Sequence, residues 1–277
     1  MIAMKKRIFT KLNILLIIFT LICFGVFAVG CNRNEDKPQN PYAVKNKFSV
    51  TVTDCEDAVE FAPEGFSPDF GMVLFTGALV NPEKYEYLAR ALAAQGYLVA
   101  ISKLAYPQAY GNYNPNISTM LKYPKIKFFI AGHDVGGGAA VRHAMDYAAH
   151  GYNATGVILL APTHFKTQKF ENGQLVKDEN GNPVWDHFSI ADASIPTLLL
   201  ETDDLLRTEE LKAEAQLHIN GNVTTLNTLK NSSSLAFSTV SASLTDDKSA
   251  IEQRSNTVSA TMDFMLKTIR SLGIYKD

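Results

Sequence analysis

The apolar run at residues 128–131 continues directly into Gly132-His133-Asp134-Val135-Gly136-Gly137-Gly138. Such a run, ending in Gly-x-Asp-x-Gly and then small residues, is typical of a strand that turns sharply into a helix. Glycine flanks the turn because a side chain on either side of the central residue would collide with the strand or the helix. We therefore expect Asp134 to project from the turn at a helix N-terminus, where the helix dipole stabilises its negative charge.

The chain on both sides of this turn alternates short β-rich runs with helical patterns. This order predicts an α/β fold with a mostly parallel sheet of about eight strands and helices on both faces. Two early runs, 48–53 and 58–61, predict an antiparallel lead-in. Six near-continuous apolar runs, typical of strands buried on both faces, lie at 72–76, 97–101, 126–131, 156–160, 197–200 and 223–229.

Local signals predict where two helices begin or end. Asn81 followed by Pro82 predicts a helix start with Asn81 as its N-cap. Near the C-terminus, apolar residues recur at helical spacing up to Leu272, and Gly273 is the predicted terminator.

Residues 165–188 interrupt the alternation with two Asn-Gly pairs, at 172–173 and 180–181. Asn-Gly favours tight β-turns, so we predict a small β-hairpin insertion. The insertion follows the strand ending at Leu160, which makes it a candidate cap over the site. The alternative is a surface excursion without a functional role.

The N-terminus has the pattern of a bacterial lipoprotein signal peptide at residues 1–30. Four basic residues precede an uncharged stretch, and Ala28-Val29-Gly30 leads into Cys31, the expected lipidation site and mature N-terminus. The alternative is an uncleaved membrane anchor, since the uncharged stretch could almost span a bilayer. Both alternatives place the protein outside the cytoplasmic membrane, bound to the bilayer. Residues 31–47 are polar and predict a flexible tether, followed by one domain at 48–277.

Composition excludes several partner classes and sites. Residues 1–30 contain four of the 26 lysines and arginines and none of the 28 acidic residues, so the mature chain has a net charge of −6. This charge argues against nucleic acid as a partner. Cys23 and Cys31 belong to the signal region, which leaves Cys55 alone and excludes a disulfide framework or a cysteine-based metal site. We expect no cofactor.

Residues 48–272 resemble the α/β-hydrolase superfamily. The resemblance rests on the turn around Asp134, on the Phe75-Thr76-Gly77-Ala78-Leu79 segment after a strand, and on the order of strands and helices. The small Gly-Ala turn and the helix after it are similar to the dienelactone-hydrolase and chlorophyllase-like branch. The Gly-His-Asp turn itself is similar to that of haloalkane dehalogenases and epoxide hydrolases.

The resemblance implies an oxyanion hole and a catalytic triad. The backbone N–H groups of Ala78 and Val135 would form the hole, and Asp134 would be the nucleophile. Asp204, after the strand at 197–200, matches the family's acid, with Glu201 in place of the usual Gly and Asp203 as a neighbour that could share the role. The alternative role for Asp204 is a turn or helix-capping residue.

The triad histidine is missing from its expected place. The family often has Gly-x-x-His before a Phe in the loop after the last strand, and Ser234 stands at that His position. No histidine follows His218, which ends a predicted helix. His133 is expected to pack behind the nucleophile, and His164 could reach the pocket. The remaining three, His143, His150 and His187, are weak candidates.

Three hypotheses follow for the function. The first is a hydrolase with an atypical triad, acting on an ester, a carbon–halide bond or an epoxide. An Asp nucleophile would form an alkyl ester, which needs a base to activate water. The second is a catalytically inactive protein that binds a small-molecule ligand at the cell surface, with Asp134 favouring a cationic group. The third, a metal-assisted enzyme using Asp134, Asp204 and His164, has no recognisable ligand spacing, so no metal is expected.

Overall fold

The computed structural model describes residues 37–43, 45, 47–103, 118–149, 154–239 and 248–276. The predicted signal peptide at 1–30, Cys31 and His150 lie outside these residues. The chain divides into two compact units. One comprises 1–39 and 274–277, where Gln39 pairs with Lys276 in an isolated parallel bridge. The other, 40–273, contains the strands and helices given below. Within the described ranges no helix is both long and apolar enough to cross a lipid bilayer.

Twelve strands and five α-helices occur in the described part of the chain. The strands are β1 (Val50–Asp54), β2 (Ala58–Pro63), β3 (Phe70–Phe75), β4 (Leu98–Ser102), β5 (Lys127–His133), β6 (Gly156–Leu160), β7 (Lys166–Gln168), β8 (Phe170–Glu171), β9 (Gln174–Leu175), β10 (Trp185–His187), β11 (Thr197–Thr202) and β12 (Thr224–Leu229). The helices are α1 (Glu86–Ala93), α2 (Ser118–Lys122), α3 (Val135–Ala149), α4 (Glu209–Leu217) and α5 (Lys248–Ser271).

Eight of these strands form one mixed sheet in the order β1-β2-β4-β3-β5-β6-β11-β12. β2 runs antiparallel to both β1 and β4, as the lead-in predicted. The pairs from β4 to β12 are all parallel. The predicted fold class is therefore confirmed. In a parallel sheet the carboxyl ends of the strands meet at one edge, and this edge gathers the loops after β3, β5, β6, β11 and β12.

Side chains alternate between the two covered faces of the sheet. Phe128 and Ile130 of β5 belong to the same core cluster as Ala140 of α3. The intervening Phe129 points to the opposite face, where its ring meets Phe264 of α5 edge-on at 6.2 Å. Because both faces are covered, β3, β4, β6 and β11 are buried along their whole length, which explains their apolar sequences.

Four sequence-based expectations need correction. β12 is an edge strand whose middle residues are exposed, because the helices that cover the sheet pack mainly against the strands inside it. Asn81 is at the N-cap and Pro82 at the first helical turn as predicted, but residues 82–85 form a 3₁₀ helix before α1, and the Asn81 side chain bonds Glu83 instead of a helix N–H. β1 begins at Val50 instead of 48. Tyr42, inside the predicted tether, is buried and stacks on Tyr97, so this part of the tether belongs to the folded unit.

The insertion at 165–188 is built from two small antiparallel pairs. β8 and β9 form a hairpin around Asn172-Gly173, both of which have positive φ as the Asn-Gly signal predicts. β7 pairs with β10, and the second Asn-Gly lies in the turn held by the Asp178 side chain. The predicted β-hairpin insertion is therefore present.

Candidate active site

Asp134 lies in a strained turn between β5 and α3. Its φ is +53°, a conformation that costs an L-residue about 1–2 kcal/mol. Three backbone hydrogen bonds hold it: its N–H donates to the Leu160 carbonyl at 3.1 Å, and its carbonyl accepts from Gly137 at 2.8 Å and Thr163 at 2.9 Å. The predicted sharp turn is therefore present, and it is fastened to the loop after β6.

Each glycine of the turn makes room for a different backbone segment. A Cβ on Gly132 would lie 1.9 Å from the Gly136 carbonyl oxygen, and one on Gly136 would lie 2.4 Å from that of Phe75. A Cβ on Gly137 would meet the Pro162 Cβ at 2.4 Å, and one on Gly138 would meet the His164 carbonyl oxygen at 2.0 Å. Gly132 allows the turn itself, as expected, whereas Gly136 lets the start of α3 approach the end of β3. Gly137 and Gly138 admit residues 162–164, a role that the sequence analysis missed.

The Asp134 carboxylate is held by two hydrogen-bond donors. The backbone N–H of Ala78 donates to Oδ2 at 3.3 Å, and the Thr163 hydroxyl donates to Oδ1 at 2.8 Å. Ala78 is one of the two predicted oxyanion-hole residues. Val135, the other, is the first residue of α3, where a backbone N–H has no partner within the helix. Oδ2 thus accepts from one of the two predicted oxyanion-hole donors, while Oδ1 accepts from Thr163.

Asp204 and Ser234 are joined directly. Asp204 Oδ2 accepts from the Ser234 N–H at 2.8 Å, the Ser234 hydroxyl at 3.2 Å and the Ser233 hydroxyl at 3.0 Å. Its Oδ1 accepts from the Thr202 hydroxyl at 3.0 Å. The carboxylate that would orient a triad histidine is therefore satisfied by serine and threonine.

Asp203, the alternative acid, faces the loop backbone. It accepts from the N–H groups of Ser232 at 3.0 Å and Asn231 at 2.9 Å. Those bonds, Ser232 first, hold the pKa of Asp203 below its usual value. Asp203 fastens the loop that carries Ser234 and does not face it.

His133 is locked beneath the turn as a neutral side chain. Its Nε2 lies 2.9 Å from the Ser234 carbonyl, which can only accept, so Nε2 carries the proton. Its Nδ1 accepts from the Tyr85 hydroxyl at 2.7 Å, and that hydroxyl oxygen accepts from the Gly77 N–H at 2.9 Å. Burial lowers the pKa of His133 and keeps it neutral. Both ring nitrogens are engaged, so His133 links the loop after β12 to the loop after β3.

His164 reaches Asp134 through one hydroxyl group. Its Nδ1 lies 2.7 Å from Thr163 Oγ1. Because Thr163 gives its only hydroxyl proton to Asp134, the His164 Nδ1 must carry a proton and donate to Thr163. Burial lowers the pKa of His164, although the side chain stays partly exposed. In the described residues, no imidazole nitrogen hydrogen-bonds the Asp134 carboxylate itself.

The other described histidines lie elsewhere. His143 is in the core beside Met120, and His218 stacks on Phe165 with ring centroids 4.6 Å apart. His187 is exposed on β10. No cluster of three or more His, Cys, Asp or Glu side chains suited to a metal ion occurs among the described residues.

A buried ion pair supports one wall of the site. Arg207 donates to both carboxylate oxygens of Glu201, at 2.8 and 2.6 Å, and to the Pro162 carbonyl at 3.1 Å. Both side chains are only 2% exposed. The pair ties β11 to the loop that carries Thr163. Sequence reasoning noted Glu201 as an unusual residue but missed Arg207; a carboxylate in a buried strand was the signal that a cationic partner had to exist.

Some of these groups line one cleft of about 410 Å³ at the carboxyl edge of the sheet, whereas Asp204 and His164 do not. Its lining residues are Ala78, Leu79, Val80, His133, Asp134, Ala161, Thr163, Leu206, Arg207, Leu211, Ser234, Leu235 and Ser238. Asp134 and Ser234 therefore share a cleft, and none of its lining residues comes from 165–188. The capping role of that insertion stays a prediction. A larger cavity of about 640 Å³ lies at the opposite ends of the strands, between Lys127, Pro196 and Thr268, away from these groups.

Comparison with known proteins agrees with this architecture. The Alpha/beta hydrolase family matches residues 71–177. A bacterial heroin esterase is 14% identical and superimposes with a TM-score of 0.51, covering 80% of this chain and 86% of its own.

Two further solved structures are similar. TT1662 from Thermus thermophilus is 13% identical, with a TM-score of 0.48 and coverage of 78% of this chain and 98% of its own. A predicted CIB-like hydrolase from Thermoplasma acidophilum is 17% identical, with a TM-score of 0.49 and coverage of 79% and 97%. No curated protein matches the chain significantly. The sheet, the family match and the heroin esterase likeness together establish that this chain has the α/β-hydrolase fold, and they support its place in the α/β-hydrolase superfamily.

Proposed function

We propose that this protein is a membrane-anchored hydrolase with an atypical triad. Asp134 is its reacting carboxylate, Asp204 stands in the place of the acid, and Ser234 stands where the histidine would be. The observation that carries the proposal is the Ala78 N–H on Asp134 Oδ2, which assigns attack to Oδ1, the oxygen that accepts from the Thr163 hydroxyl. Alpha/beta hydrolase family sequence over 71–177 supports the reaction class.

The orientation of the carboxylate suits displacement at a saturated carbon. Oδ1 attacks the carbon, the bond to the leaving group breaks, and the electron pair departs with that group, for example as halide. The product is an ester of Asp134 whose carbonyl oxygen is Oδ2. When water adds to the ester carbon, negative charge develops on Oδ2, where the Ala78 N–H already points. The Val135 N–H is the proposed second donor.

Hydrolysis of this ester also requires a base that removes a proton from the attacking water. A base contributes about 10²–10⁴-fold to such a reaction, and no imidazole contacts Asp134 directly in the described part of the chain. His133 is engaged at both nitrogens. We therefore expect formation of the Asp134 ester to be faster than its hydrolysis, so that the ester accumulates.

One observation favours a second function, reversible ligand binding without chemistry. Asp204 is surrounded by hydroxyl and N–H donors and has no base to orient. The Asp134 carboxylate also accepts the hydrogen bond of the Ala78 N–H, the donor that an oxyanion would need. Such a site would hold a ligand against Asp134 at the cell surface and release it unchanged.

The experiment compares wild type with Asp134→Asn and with the exposed control Asp186→Asn on p-nitrophenyl esters and 1-haloalkanes. Turnover, or a mass increase on the peptide containing residue 134, that is lost only in Asp134→Asn supports the hydrolase. Saturable binding of the same compounds without either signal overturns it in favour of the second function. Turnover that survives in Asp134→Asn overturns the role of Asp134.

Anchoring through Cys31 is tested separately. Radiolabelled palmitate should enter the wild-type protein in bacterial cells and not Cys31→Ser, while Cys55→Ser keeps the label. Label in Cys31→Ser, or a mature N-terminus other than residue 31, would contradict the anchor.

A further inference from the structure

Three exposed leucines line the cleft, and a fourth exposed leucine is adjacent to one of them in the sequence. Leu79, Leu205, Leu206 and Leu235, named here the leucine rim, are 82%, 97%, 57% and 47% exposed. Leu79, Leu206 and Leu235 line the cleft that contains Asp134, and Leu205 is the neighbour of Leu206. The rim is therefore part of the entrance to the site.

The rim is assembled from three separate loops. Leu79 follows β3, Leu205 and Leu206 follow β11, and Leu235 follows β12. Single exposed leucines are ordinary on a protein surface, but a group that converges on one cleft marks a binding site. Leu79 also has a φ of +57°, which is unfavourable for a leucine. Strain at this position, beside Ala78, points to a functional placement of its side chain.

The interior of the cleft continues the apolar surface towards one charge. Val80, Ala161 and Leu211 extend the apolar wall. Arg207 also lines the cleft, but its charge is compensated by the buried Glu201. His133 is neutral, since burial lowers its pKa. Asp134 therefore gives the cleft a net negative charge, which disfavours an anionic ligand.

We propose that the cleft binds a molecule with a linear alkyl chain and a positively charged head group, with the chain on the leucine rim and the head at Asp134. This inference names the ligand class of the site in the proposed function and rests on that site, but it holds for a substrate and for a reversibly bound ligand alike.

A single chain entering the cleft explains the rim better than a flat partner. Three of the leucines line the same cleft as Val80, Leu211 and Asp134, so the apolar area is concave and shared with the carboxylate. A bilayer or a second copy of the protein would cover the outer leucines and leave Val80 and Leu211 uncovered. Charge complementarity with Asp134 selects the cationic head group.

The test measures binding of unreactive probes by calorimetry, using the mature chain. Hexyl-, octyl- and decyltrimethylammonium are used below their micelle concentrations, with alkanoates of the same chain lengths for comparison. The variants are Leu79→Asn with Leu206→Ser, since Asn tolerates positive φ, and Asp134→Asn. The matched control is Leu217→Ser, which removes a 75% exposed leucine of α4 that does not line the cleft.

For wild type and for Leu217→Ser, we expect affinity to rise about two- to fourfold per added methylene. The double rim variant should lose most of this dependence, and Asp134→Asn should reduce the preference for ammonium over carboxylate. Affinity independent of chain length, or an equal loss in Leu217→Ser, would overturn the proposal. Rim-dependent binding to neutral vesicles, or rim-dependent dimerisation, with no binding of the probes would also overturn it.

Failure of the two proposals can be told apart. Chain-dependent binding without turnover or adduct contradicts the hydrolase and supports the ligand class. Turnover on short and long substrates with equal kcat/KM supports the hydrolase and contradicts the ligand class.

Discussion

The Ser234 N–H donates to Asp204 Oδ2 across 2.8 Å, and the Ser234 hydroxyl donates to the same oxygen. A side chain at position 234 is therefore directly beside the carboxylate that would orient an imidazole, and it also lines the cleft of Asp134. The backbone therefore brings position 234 to both carboxylates of the proposed site.

Replacing Ser234 by His should supply the missing base. Its Nδ1–H would donate to Asp204 and its Nε2 would face the cleft, so decay of an Asp134 ester should accelerate about 10²-fold or more. Mass spectrometry of the adduct over time measures this decay. Ser233→His is the control, because Ser233 also bonds Asp204 but does not line the cleft. An equal acceleration in Ser233→His would contradict the assignment.

Replacing Thr163 by Val should weaken the fold through Asp134. The change removes the hydroxyl that donates to Oδ1, a hydrogen bond to a charged group that contributes about 1.5–3 kcal/mol. The loss should shrink in an Asp134→Asn background, which a double-mutant cycle in urea detects. Thr225→Val, on the exposed part of β12, is the control. Additive losses would show that Thr163 does not act on the carboxylate.

Replacing Arg207 by Met should destabilise the protein by about 3–5 kcal/mol, because Glu201 would remain as an unpaired buried charge. Adding Glu201→Leu should restore most of the free energy of unfolding. Lys169→Met, at the exposed pair with Glu171, should change it little. Urea denaturation measures all three variants. If adding Glu201→Leu to Arg207→Met lowers the free energy of unfolding further, this explanation is contradicted.

Replacing Gly138 by Ala should cost about 1–3 kcal/mol, since the new Cβ would lie 2.0 Å from the His164 carbonyl oxygen. Neither backbone segment can yield easily, because α3 and the 162–164 loop are both fastened to Asp134. Gly221→Ala is the control, because a Cβ on Gly221 would have no neighbouring atom within 4 Å. Thermal unfolding compares the two, and an equal loss in both variants would contradict the close approach as the cause.

Stability should fall in mild acid because of His143. Burial lowers the pKa of His143 from 6.5 to about 4. Between these values the unfolded chain binds a proton that the folded chain does not, so the free energy of unfolding falls as pH decreases from about 6.5 to 4, by about 3 kcal/mol. His143→Phe, which keeps an aromatic ring beside Phe75 and Tyr147, should reduce this slope. The exposed His187→Gln should not, and urea titrations at several pH values would decide.

Much of the fold and part of the candidate site could be predicted from local sequence. The strands buried on both faces are apolar throughout, and the turn around Asp134 needs glycine at 132, so both leave a direct record in the chain. The absence of a histidine after His218 is likewise visible in the sequence alone. These features depend on neighbours within a few residues, or on composition.

The tertiary structure alone decided what surrounds Asp134. Thr163 reaches Oδ1, Arg207 pairs with Glu201, and the leucine rim forms from three loops that are far apart in the chain; only Ala78 was expected near Asp134, from the family resemblance. Gly137 and Gly138 had no interpretation until residues 162–164 were seen against them. Backbone geometry is set by local sterics, whereas a contact between distant segments depends on how the whole sheet packs. For this reason the turn could be predicted from the sequence, whereas Thr163 and the 162–164 loop could not.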